Sequence, residues 1–537
     1  MNIPVLIDGL VLLTYFGGIV GIGLYAGRQN RDLREFALGG RSIPWWAVLA
    51  SIIAAETSAA TFLGTPAEGF KTRGFIYGQL VIGTILARVV IAFTFIEPYY
   101  RYRVQSIYEF LTVRFGEATK NMASGIFLIT RVLGIGVRLY LGGVIMVVLW
   151  RYFFPGSSIT WVTYFWGILF VTVVTTFYTM VGGIKAVVWT DVIQAVLMIG
   201  SVVFAIGLLV SRVGGLGEVE KALGGWQTIA WGQSGWDTAK PFGAALKGML
   251  EEPYTLFAAF IASTFLTMAT HGTDQDMVQR MLTAPDYRKS RFSLILSGLA
   301  DLPIVLCFLS VGILLWVYYT RAGIPQVGGH AIPHNEIFAH FIVNDMPVGL
   351  RGLIIAGVFA TMMGSTSAAL NALATSFTKD FYLPYFNRRA SDAQAIFAAR
   401  TATAVFGLLM VGVATVAAYA VLQRPDLTII PIALGVMGYT YGALLGVFLI
   451  GMLTRTRGQD GTNVVAMILG MVAVLFLCKV KLPGIVDFGK FMPEGWPSIS
   501  FPWFVLIGCA VTFGVGVLFR TPDAQVMEAR RHVAGEA

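Results

Sequence analysis

The chain has 537 residues, of which 56% are hydrophobic and only 12% are charged. Soluble domains usually carry about 25% charged residues, and they lack the apolar stretches of about 20 residues that recur along this chain. The composition therefore excludes a soluble globular protein and predicts a polytopic α-helical membrane protein. The net charge of +9 does not indicate nucleic-acid binding, because the basic residues lie in short loops between the apolar segments.

We predict about thirteen membrane spans from the apolar segments. Loops rich in Arg and Lys follow every second span, so the positive-inside rule places the N-terminus outside and the C-terminus, with a short tail over 521–537, in the cytoplasm. The predicted spans lie near residues 5–25, 43–65, 75–99, 121–151, 158–180, 186–210, 252–279, 292–320, 349–378, 394–422, 428–453, 461–481 and 500–520.

Polar residues interrupt the second predicted span near its centre. Glu56, Thr57, Ser58 and Thr61 stand at the depth of the hydrocarbon, where a carboxylate costs about 2.5–3.5 kcal/mol. A helix that breaks there frees backbone carbonyl groups, and secondary transporters bind substrate and coupling ion at such breaks. We therefore predict that this segment forms one wall of a transport site.

The span near 252–279 carries a second interruption, which runs from Thr267 to Asp276. Two interrupted spans in corresponding places predict an inverted repeat, with the binding site between its two halves. The first repeat would cover residues 43–210 and the second residues 252–453. Both would belong to one transmembrane domain that takes up the whole chain.

Two amphipathic segments are predicted outside the spans. Residues 106–120 read as a short surface helix, with Ser106 as N-cap and Glu109 three residues later. Residues 335–344 read as a second helix on the opposite face, where a lid and ordinary loop packing are both open. The three cysteines lie inside apolar segments and show no metal-ligand spacing.

Several motifs resemble those of the sodium:solute symporter family. The segment Gly182–Gln194 (GGIKAVVWTDVIQ) is similar to the family signature, and similar motifs occur in the family's order over Phe36–Trp46, Thr273–Arg280 and Ser365–Asn371. The resemblance implies an all-α, leucine-transporter-type inverted repeat of five plus five helices with about three extra spans. It also implies symport of a small polar organic solute by alternating access, with sodium as the coupling ion and no enzymatic activity.

The resemblance also implies a sodium site between the broken first core helix and the eighth core helix. Gly364 stands where the family usually has a serine, so one hydroxyl is missing, and the hydroxyls of Thr57 and Thr361 are candidates to replace it. Close helix packing by the small residues 364–367 is the alternative. The sodium ligands carried over by resemblance are Ala54, Thr57, Thr361, Gly364 and Ser365.

Asp191 matches a family residue that is associated with ion release or with a second sodium site. Ser367 matches a further ligand of that second site, but Ala368 stands where another serine is usual. We therefore expect one sodium ion per transport cycle. The alternative is that Asp191 caps its helix or pairs with Lys185.

The sugar contacts of glucose-type family members are poorly kept, and charged side chains lie inside the spans instead. The Arg138 guanidinium, in mid-span, is suited to bind a substrate carboxylate through two hydrogen bonds, unless it pairs internally with Glu56 or Asp274. We expect Arg88 and Arg131 to be structural partners. The predicted substrate-binding residues are Glu56, Ser58, Thr61, Gln79, Arg138, His271 and Asp274.

Three other functions are considered at this point. A transporter-like sensor would carry a signalling domain after the last span, and the predicted tail over 521–537 is too short for one. A proton-coupled carrier on the same fold would use Glu56 or Asp191 as its titrating group. A membrane-embedded enzyme would use His271 with Asp274, but no hydrolase or metalloprotease motif accompanies them. The expected partners are a small solute, sodium and membrane lipid, with no nucleic acid and no obligate protein partner.

Overall fold

The computed structural model describes residues 3–27, 32–154, 157–327, 330–332, 334–423, 429–482 and 486–534. Helices account for most of these residues, and the described strands form two short antiparallel hairpins. The helices are α1 (Ile3–Ala26), α2 (Leu33–Leu38), α3 (Trp45–Glu56), α4 (Ala59–Thr72), α5 (Leu80–Thr94), α6 (Ile96–Arg101), α7 (Glu109–Arg114), α8 (Glu117–Phe153), α9 (Trp161–Val213), α10 (Leu216–Leu223), α11 (Phe242–Glu251), α12 (Thr264–Gly272), α13 (Gln275–Met281), α14 (Tyr287–Ala322), α15 (His334–Asp345), α16 (Leu350–Ser376), α17 (Asp392–Gln423), α18 (Ile429–Leu453), α19 (Asp460–Leu477), α20 (Trp503–Gly516) and α21 (Asp523–Ala534). The strands are β1 (Gln326–Val327), β2 (His330–Ala331), β3 (Lys481–Leu482) and β4 (Val486–Asp487).

Among the described residues, nine helices are long and apolar enough to cross a membrane, or ten if a bent pair over 33–56 is one span. The 53-residue helix α9 is about 80 Å long, far more than the hydrocarbon thickness of about 30 Å. It bends at Gly183, whose φ of 57° and ψ of −155° are non-helical. The predicted spans 158–180 and 186–210 lie on either side of this bend. The total of about thirteen spans stays a prediction.

Both predicted helix interruptions are confirmed. Helix α3 ends at Glu56, Thr57 and Ser58 are extended, and the Ser58 hydroxyl oxygen accepts the N–H of Thr61 at 3.4 Å in the first turn of α4. Helix α12 ends at Gly272, and extended Asp274 is the N-cap of α13, where its side chain accepts the N–H of Asp276. In each case a short polar side chain caps the second half-helix, which makes a break less costly than an uncapped end.

Helix α16 lies at the centre of the molecule, and almost all of its residues are buried. It packs against α9, α8, α17 and α1, while α3 contacts α9 and α14 and α4 contacts α14, α15 and α8. Helices α3 and α4 also contact α16, and Ala54 O at the end of α3 lies beside Gly364, so the break between α3 and α4 faces the middle of α16. This arrangement puts the polar centre of the second span inside protein rather than lipid, as the cost of exposed backbone requires.

The two predicted surface helices differ in outcome. The helix over 335–344 is confirmed by α15, whose apolar side chains are buried against α4, so it is a packed element. The predicted surface helix over 106–120 is wrong in its bounds. The surface helix is α7, which ends at Arg114, and a separate helix, α8, begins at Glu117. The carboxylate of Asp460, at the start of α19, accepts the N–H groups of Ala118 and Thr119 at 3.1 and 2.7 Å. This cap on α8 starts a new helix where the sequence suggested continuation.

Candidate functional site

The end of α3 supplies free backbone carbonyl groups. The last carbonyl groups of a helix have no N–H partner within it. Here the N–H of Thr57 donates to Ile53 O at 3.1 Å, and the extended backbone of Ser58 removes the donor that Ala54 O would otherwise meet. The carbonyl oxygen of Ala54 then faces Gly364 of α16.

Gly364 leaves a small space lined by oxygen atoms from two other helices. A Cβ atom at this position would lie 2.8 Å from Gln194 Oε1, 3.4 Å from Asp191 Oδ1 and 3.4 Å from Ala54 O. Hard cations bind several oxygen ligands, at about 2.3–2.6 Å for Ca²⁺. The carboxylate, amide and carbonyl oxygens around this space therefore fit a bound cation of sodium's size.

Two side chains at this space have buried polar atoms that lack partners. Asp191 Oδ1 and both amide atoms of Gln194 make no hydrogen bond of good geometry with the described residues. The hydroxyl neighbours of Gln194 are Tyr15 and Tyr178. Leaving a buried polar atom unpaired costs about 1–3 kcal/mol, so native proteins rarely do so without a reason. A cation between Asp191 and Gln194 would satisfy both oxygens.

The hydroxyl groups on α16 use their protons within the helix. Ser365 Oγ donates to Thr361 O at 3.0 Å, Thr361 Oγ1 donates to Val358 O at 2.8 Å, and Ser367 Oγ donates to Gly364 O at 3.1 Å. A hydroxyl that donates in this way keeps its oxygen lone pairs for another contact. All three hydroxyl-bearing side chains are buried. Of the predicted sodium ligands, the structure brings Ala54 directly to Gly364 and keeps Ser365 and Thr361 on the same helix.

Asp191 stands at one end of a buried row of alternating charges. Arg280 Nη2 lies 3.2 Å from Asp191 Oδ2, and the same guanidinium pairs with Asp276. Asp276 also pairs with Arg131, and Arg131 Nη1 lies 3.1 Å from Asp274 Oδ2. No member exposes more than 5% of its side chain. Three carboxylates face two guanidinium groups, so this charge row has one uncompensated negative charge.

The two ends of the charge row differ. The Asp274 carboxylate accepts the Tyr441 hydroxyl at 2.5 Å and the N–H of Asp276 at 2.9 Å, so both of its oxygens are engaged. Asp191 Oδ2 accepts the Ser51 hydroxyl at 2.6 Å, but Oδ1 stays unpaired beside Gly364. The uncompensated charge can therefore meet a cation at the Asp191 end.

The alternative partner considered for Asp191 is engaged elsewhere. Lys185 Nζ pairs with Glu35 Oε2 at 2.6 Å. Asp191 lies about two turns beyond the bend of α9 at Gly183, so it does not cap the second half of that helix.

A second polar cluster surrounds Glu56. Its carboxylate pairs with the fully buried Arg88, and Arg88 Nη1 donates to Ser297 Oγ at 3.3 Å. His271 Nε2 lies 3.4 Å from Arg88 Nη2 and 3.6 Å from Glu56 Oε1, and its Nδ1 lies 3.0 Å from Thr270 Oγ1. These contacts are consistent with the predicted structural role of Arg88, which stays a prediction. His271 is held by hydrogen bonds on both ring nitrogens.

Arg138 lacks the ion pair that the other arginines of the site make. Its Nη2 contacts Met437 Sδ at 3.5 Å, and no described carboxylate lies within ion-pair distance. Its two alternative internal partners, Glu56 and Asp274, pair with Arg88 and Arg131 instead. The Arg138 side chain is partly exposed, so an anion from outside the protein can reach this guanidinium and bind it through two hydrogen bonds.

The remaining predicted contacts lie near the start of α4. Ser58 is buried, Thr61 is partly exposed in the first turn of α4, and α4 packs against α8, which carries Arg138. A helix N-terminus favours a negative charge. Gln79 is buried, its Nε2 donates to Tyr254 O at 2.7 Å, and its Oε1 has no partner among the described residues.

Four residues of these clusters were not predicted from the sequence, namely Gln194, Ser51, Arg280 and Tyr441. Gln194 could have been predicted from the sequence, because it follows Asp191 by three residues and therefore lies on the same face of the helix. The roles of Ser51 and Tyr441 had no local signal. They depend on contacts with residues more than one hundred positions away.

Comparisons with known proteins find similar transporters. The profile described as the sodium:solute symporter family matches residues 36–472. The sodium/sialic acid symporter SiaT of Proteus mirabilis is 27% identical over 476 residues, which cover 87% of this chain and 89% of that protein. The Homo sapiens sodium-coupled monocarboxylate transporter 1 is 27% identical over 482 residues, which cover 86% of this chain and 73% of that protein.

Solved structures of transporters share the fold. A substrate-bound, outward-open Na⁺-coupled sialic acid symporter matches with a TM-score of 0.77 at 24% identity, over 95% of this chain and 97% of that chain. A nucleobase-cation-symport-1 family transporter in a closed conformation matches with a TM-score of 0.50 at 14% identity, over 95% and 96% of the two chains.

Proposed function

This chain belongs to the sodium:solute symporter family, and we propose that the solute it carries with sodium is a small organic anion with a carboxylate group. Family membership confirms the predicted sodium-coupled symporter, as opposed to an enzyme, and the similar structures confirm the leucine-transporter-type fold. The observation that carries the proposal is the partly exposed guanidinium of Arg138, which lies in mid-span and has no carboxylate partner among the described residues.

Two opposite local charge imbalances support the transport of a cation together with an anion. The charge row has one negative charge too many at Asp191, and Arg138 has a positive charge without a partner. A sodium ion bound beside Asp191 and a carboxylate bound to Arg138 would remove both charge imbalances. Helix α8 connects the two, since it carries Arg131 of the charge row and Arg138 about 10 Å further along the helix.

The proposed substrate set is centred on the α3–α4 break. Ser58 and Thr61 offer hydroxyls at the N-terminus of α4, where an anion is favoured, and Gln79 offers an unpartnered carbonyl. The set omits Asp274, because protein donors engage both of its oxygens. Sialic acid and monocarboxylates, which name two of the relatives, both carry the carboxylate that Arg138 would bind. The proposed set is Glu56, Ser58, Thr61, Gln79, Arg138 and His271.

The proposed sodium site is the space at Gly364. Ala54 O, Asp191 Oδ1 and Gln194 Oε1 border it, and these oxygens compensate for the serine hydroxyl that glycine removes. Because Asp191 and Ala54 border the same space, we assign Asp191 to this site and not to a second one. This assignment is in line with one sodium ion per cycle. The hydroxyls of Thr57, Thr361, Ser365 and Ser367 complete the candidate ligand set.

We also propose the sidedness and the internal repeat. The protein is a multi-pass membrane protein. The Arg and Lys distribution supports an external N-terminus and a C-terminus on the cytoplasmic side of the cell membrane. The breaks at 57–58 and 273–274 support inverted repeats over 43–210 and 252–453, because each opens one repeat.

Thermal unfolding of the purified protein tests the proposal. Melting temperatures are compared in sodium and potassium chloride of equal ionic strength with sialic acid, lactate, a neutral sugar and the methyl ester of sialic acid. A ligand at 100 times its Kd stabilises the folded state by about 2.7 kcal/mol. We expect stabilisation by a free carboxylic acid, in sodium only. Equal stabilisation by the ester or the neutral sugar would contradict the anion proposal, and equal effects in potassium would contradict the sodium site.

A further inference from the structure

We propose that a cleft lined by four arginines binds the headgroup of an anionic phospholipid. The cleft has a volume of about 470 Å³ and lies between the ends of α5 and α6, helix α7, the end of α18 and the C-terminal helix α21. We call it the arginine cleft. Its basic residues are Arg101, Arg114, Arg455 and Arg530.

The charges that line the arginine cleft do not balance. Glu97 is its one described acidic residue, and this carboxylate is engaged by Arg291 at 2.8 Å and by Arg101 at 3.3 Å. Arg114, Arg455 and Arg530 form no ion pair with any described carboxylate. The cleft therefore lacks negative charge, which an anion from outside would supply.

Arg114 forms a fixed part of the cleft wall. Its side chain is buried, Nη2 donates to Thr454 O at 2.7 Å, and Nη1 lies 3.5 Å from Thr521 Oγ1. Burial lowers the pKa of the Arg114 guanidinium, and Tyr102 raises that pKa in part. A guanidinium held by neutral groups only is preorganised for a phosphate, which it can bind through two parallel hydrogen bonds.

The position of the arginine cleft favours a lipid over a soluble anion. The membrane-spanning helices 76–101 and 435–453 both end at its rim, which places it at the boundary between hydrocarbon and water. Phe93, which lines the cleft, is 63% exposed. Leu453, which stands in the chain between the lining residues Met452 and Thr454, is 61% exposed. A phospholipid would place its phosphate among the arginines and its acyl chains along these apolar side chains. It would therefore match both the basic and the apolar surface of the cleft. Basic pockets between membrane helices bind anionic headgroups in this way.

The C-terminal helix closes one side of the arginine cleft. Gln525 Nε2 donates to Val113 O at 3.0 Å and lies 3.3 Å from Thr112 O, while Val526 and Ala529 are buried against the cleft. Arg530 on α21 and Arg455 after α18 thus meet across one headgroup site. A bound lipid would link the end of the chain to the transport core.

Lipid binding to the full-length protein in detergent tests this proposal. The Kd values of dioleoyl phosphatidylglycerol and dioleoyl phosphatidylcholine, which differ in headgroup charge, are measured by native mass spectrometry. The double variant Arg455→Gln/Arg530→Gln removes two cleft arginines. The matched control is Arg388→Gln/Arg389→Gln, two exposed arginines that do not line the cleft. Soluble sn-glycerol 3-phosphate supplies the same phosphate chemistry without acyl chains.

We expect phosphatidylglycerol to bind more tightly than phosphatidylcholine. Each arginine near the surface contributes about fivefold, so the cleft variant should weaken phosphatidylglycerol binding by about 25-fold, and the control variant should not. Unchanged melting temperatures in lipid-free detergent establish that both variants fold. Equal binding of the two lipids, or equal weakening in both variants, would overturn the proposal. Glycerol 3-phosphate binding as tight as the lipid would overturn it too, and would assign the cleft to a soluble anion. The proposal does not depend on the identity of the transported solute.

Discussion

Arg131 and Arg280 bind the same carboxylate, that of Asp276, from helices α8 and α13. Arg280 extends the contact to Asp191 on α9, the acidic residue of the proposed sodium site. Helix α8, which carries Arg138 of the proposed anion site, and helix α9, which carries Asp191, are therefore joined through buried ion pairs. Separating them would leave unpaired charges in a medium of low dielectric constant, so we expect these helices to stay together during transport.

Arg280→Gln should destabilise the protein strongly, because it leaves the three buried carboxylates of the charge row with one guanidinium group. Breaking a buried pair costs about 3–5 kcal/mol. The matched control is Lys289→Gln, which removes the partner of Asp286 in a pair whose side chains are 53% and 45% exposed. Such exposed pairs contribute at most about 1 kcal/mol. Chemical denaturation in sodium chloride measures both variants, and similar losses of stability would show that the charge row contributes little.

Gly364→Ala should weaken sodium binding, since the new methyl group would occupy the space between Ala54 O, Asp191 Oδ1 and Gln194 Oε1. We expect the half-saturating sodium concentration to rise at least about tenfold, because losing one contact to a charged ligand costs about 1.5–3 kcal/mol. The control is Gly412→Ala on α17, where no atom lies within 4 Å of the added Cβ. Sodium-dependent melting of the apo protein gives the affinity. An unchanged affinity in Gly364→Ala would move the sodium site elsewhere.

Gln194→Leu should separate a ligand role from a structural role. A ligand role predicts weaker sodium binding together with equal or higher stability in potassium, because the substitution removes two buried polar atoms that have no partner. Ser201→Ala is the control, since Ser201 also has an unpartnered hydroxyl on α9 but lies two turns away. The same melting experiment applies. Loss of stability in potassium with unchanged sodium affinity would leave Gln194 as a packing residue only.

Arg138→Gln should raise the Kd of the transported carboxylate by about 10-fold to 100-fold, the loss expected for a hydrogen bond to a charged group. Arg138→Lys should restore part of the affinity, because lysine keeps the charge but lacks the planar fork. Sodium affinity without substrate should stay the same in both. Arg400→Gln on α17 is the control, as Arg400 also has no described carboxylate partner. Equal losses for the free acid and its methyl ester would point to a packing role for Arg138.

Glu56→Gln and Arg88→Gln should each destabilise the protein more than the double variant does. Each single change leaves one charge of the pair unbalanced in the protein, whereas the double change removes both. A double-mutant cycle measured by chemical denaturation gives the coupling, which for contacting residues is about 0.5–3 kcal/mol. Additive effects would show that the two side chains do not stabilise each other.

The sequence by itself determined the class of the protein, the two helix breaks and the polar residues of the site. These features are local in sequence. The length of an apolar run decides whether a helix can span the bilayer, and a cluster of polar residues inside such a run is costly unless protein surrounds it. The breaks at Thr57 and Asp274 and the in-span position of Arg138 could therefore be predicted without coordinates.

Only the tertiary structure decided which arginine forms an ion pair with which carboxylate. Arg138 had two acidic candidates as internal partners, and both pair with other arginines, because helix packing brings Arg88 to Glu56 and Arg131 to Asp274. Local pattern could not select among these pairs, since their members lie far apart in the chain. The oxygen-lined space at Gly364 is likewise a product of three packed helices. The sequence shows only that a side chain is missing there, and the packing shows which oxygens face the space that it leaves.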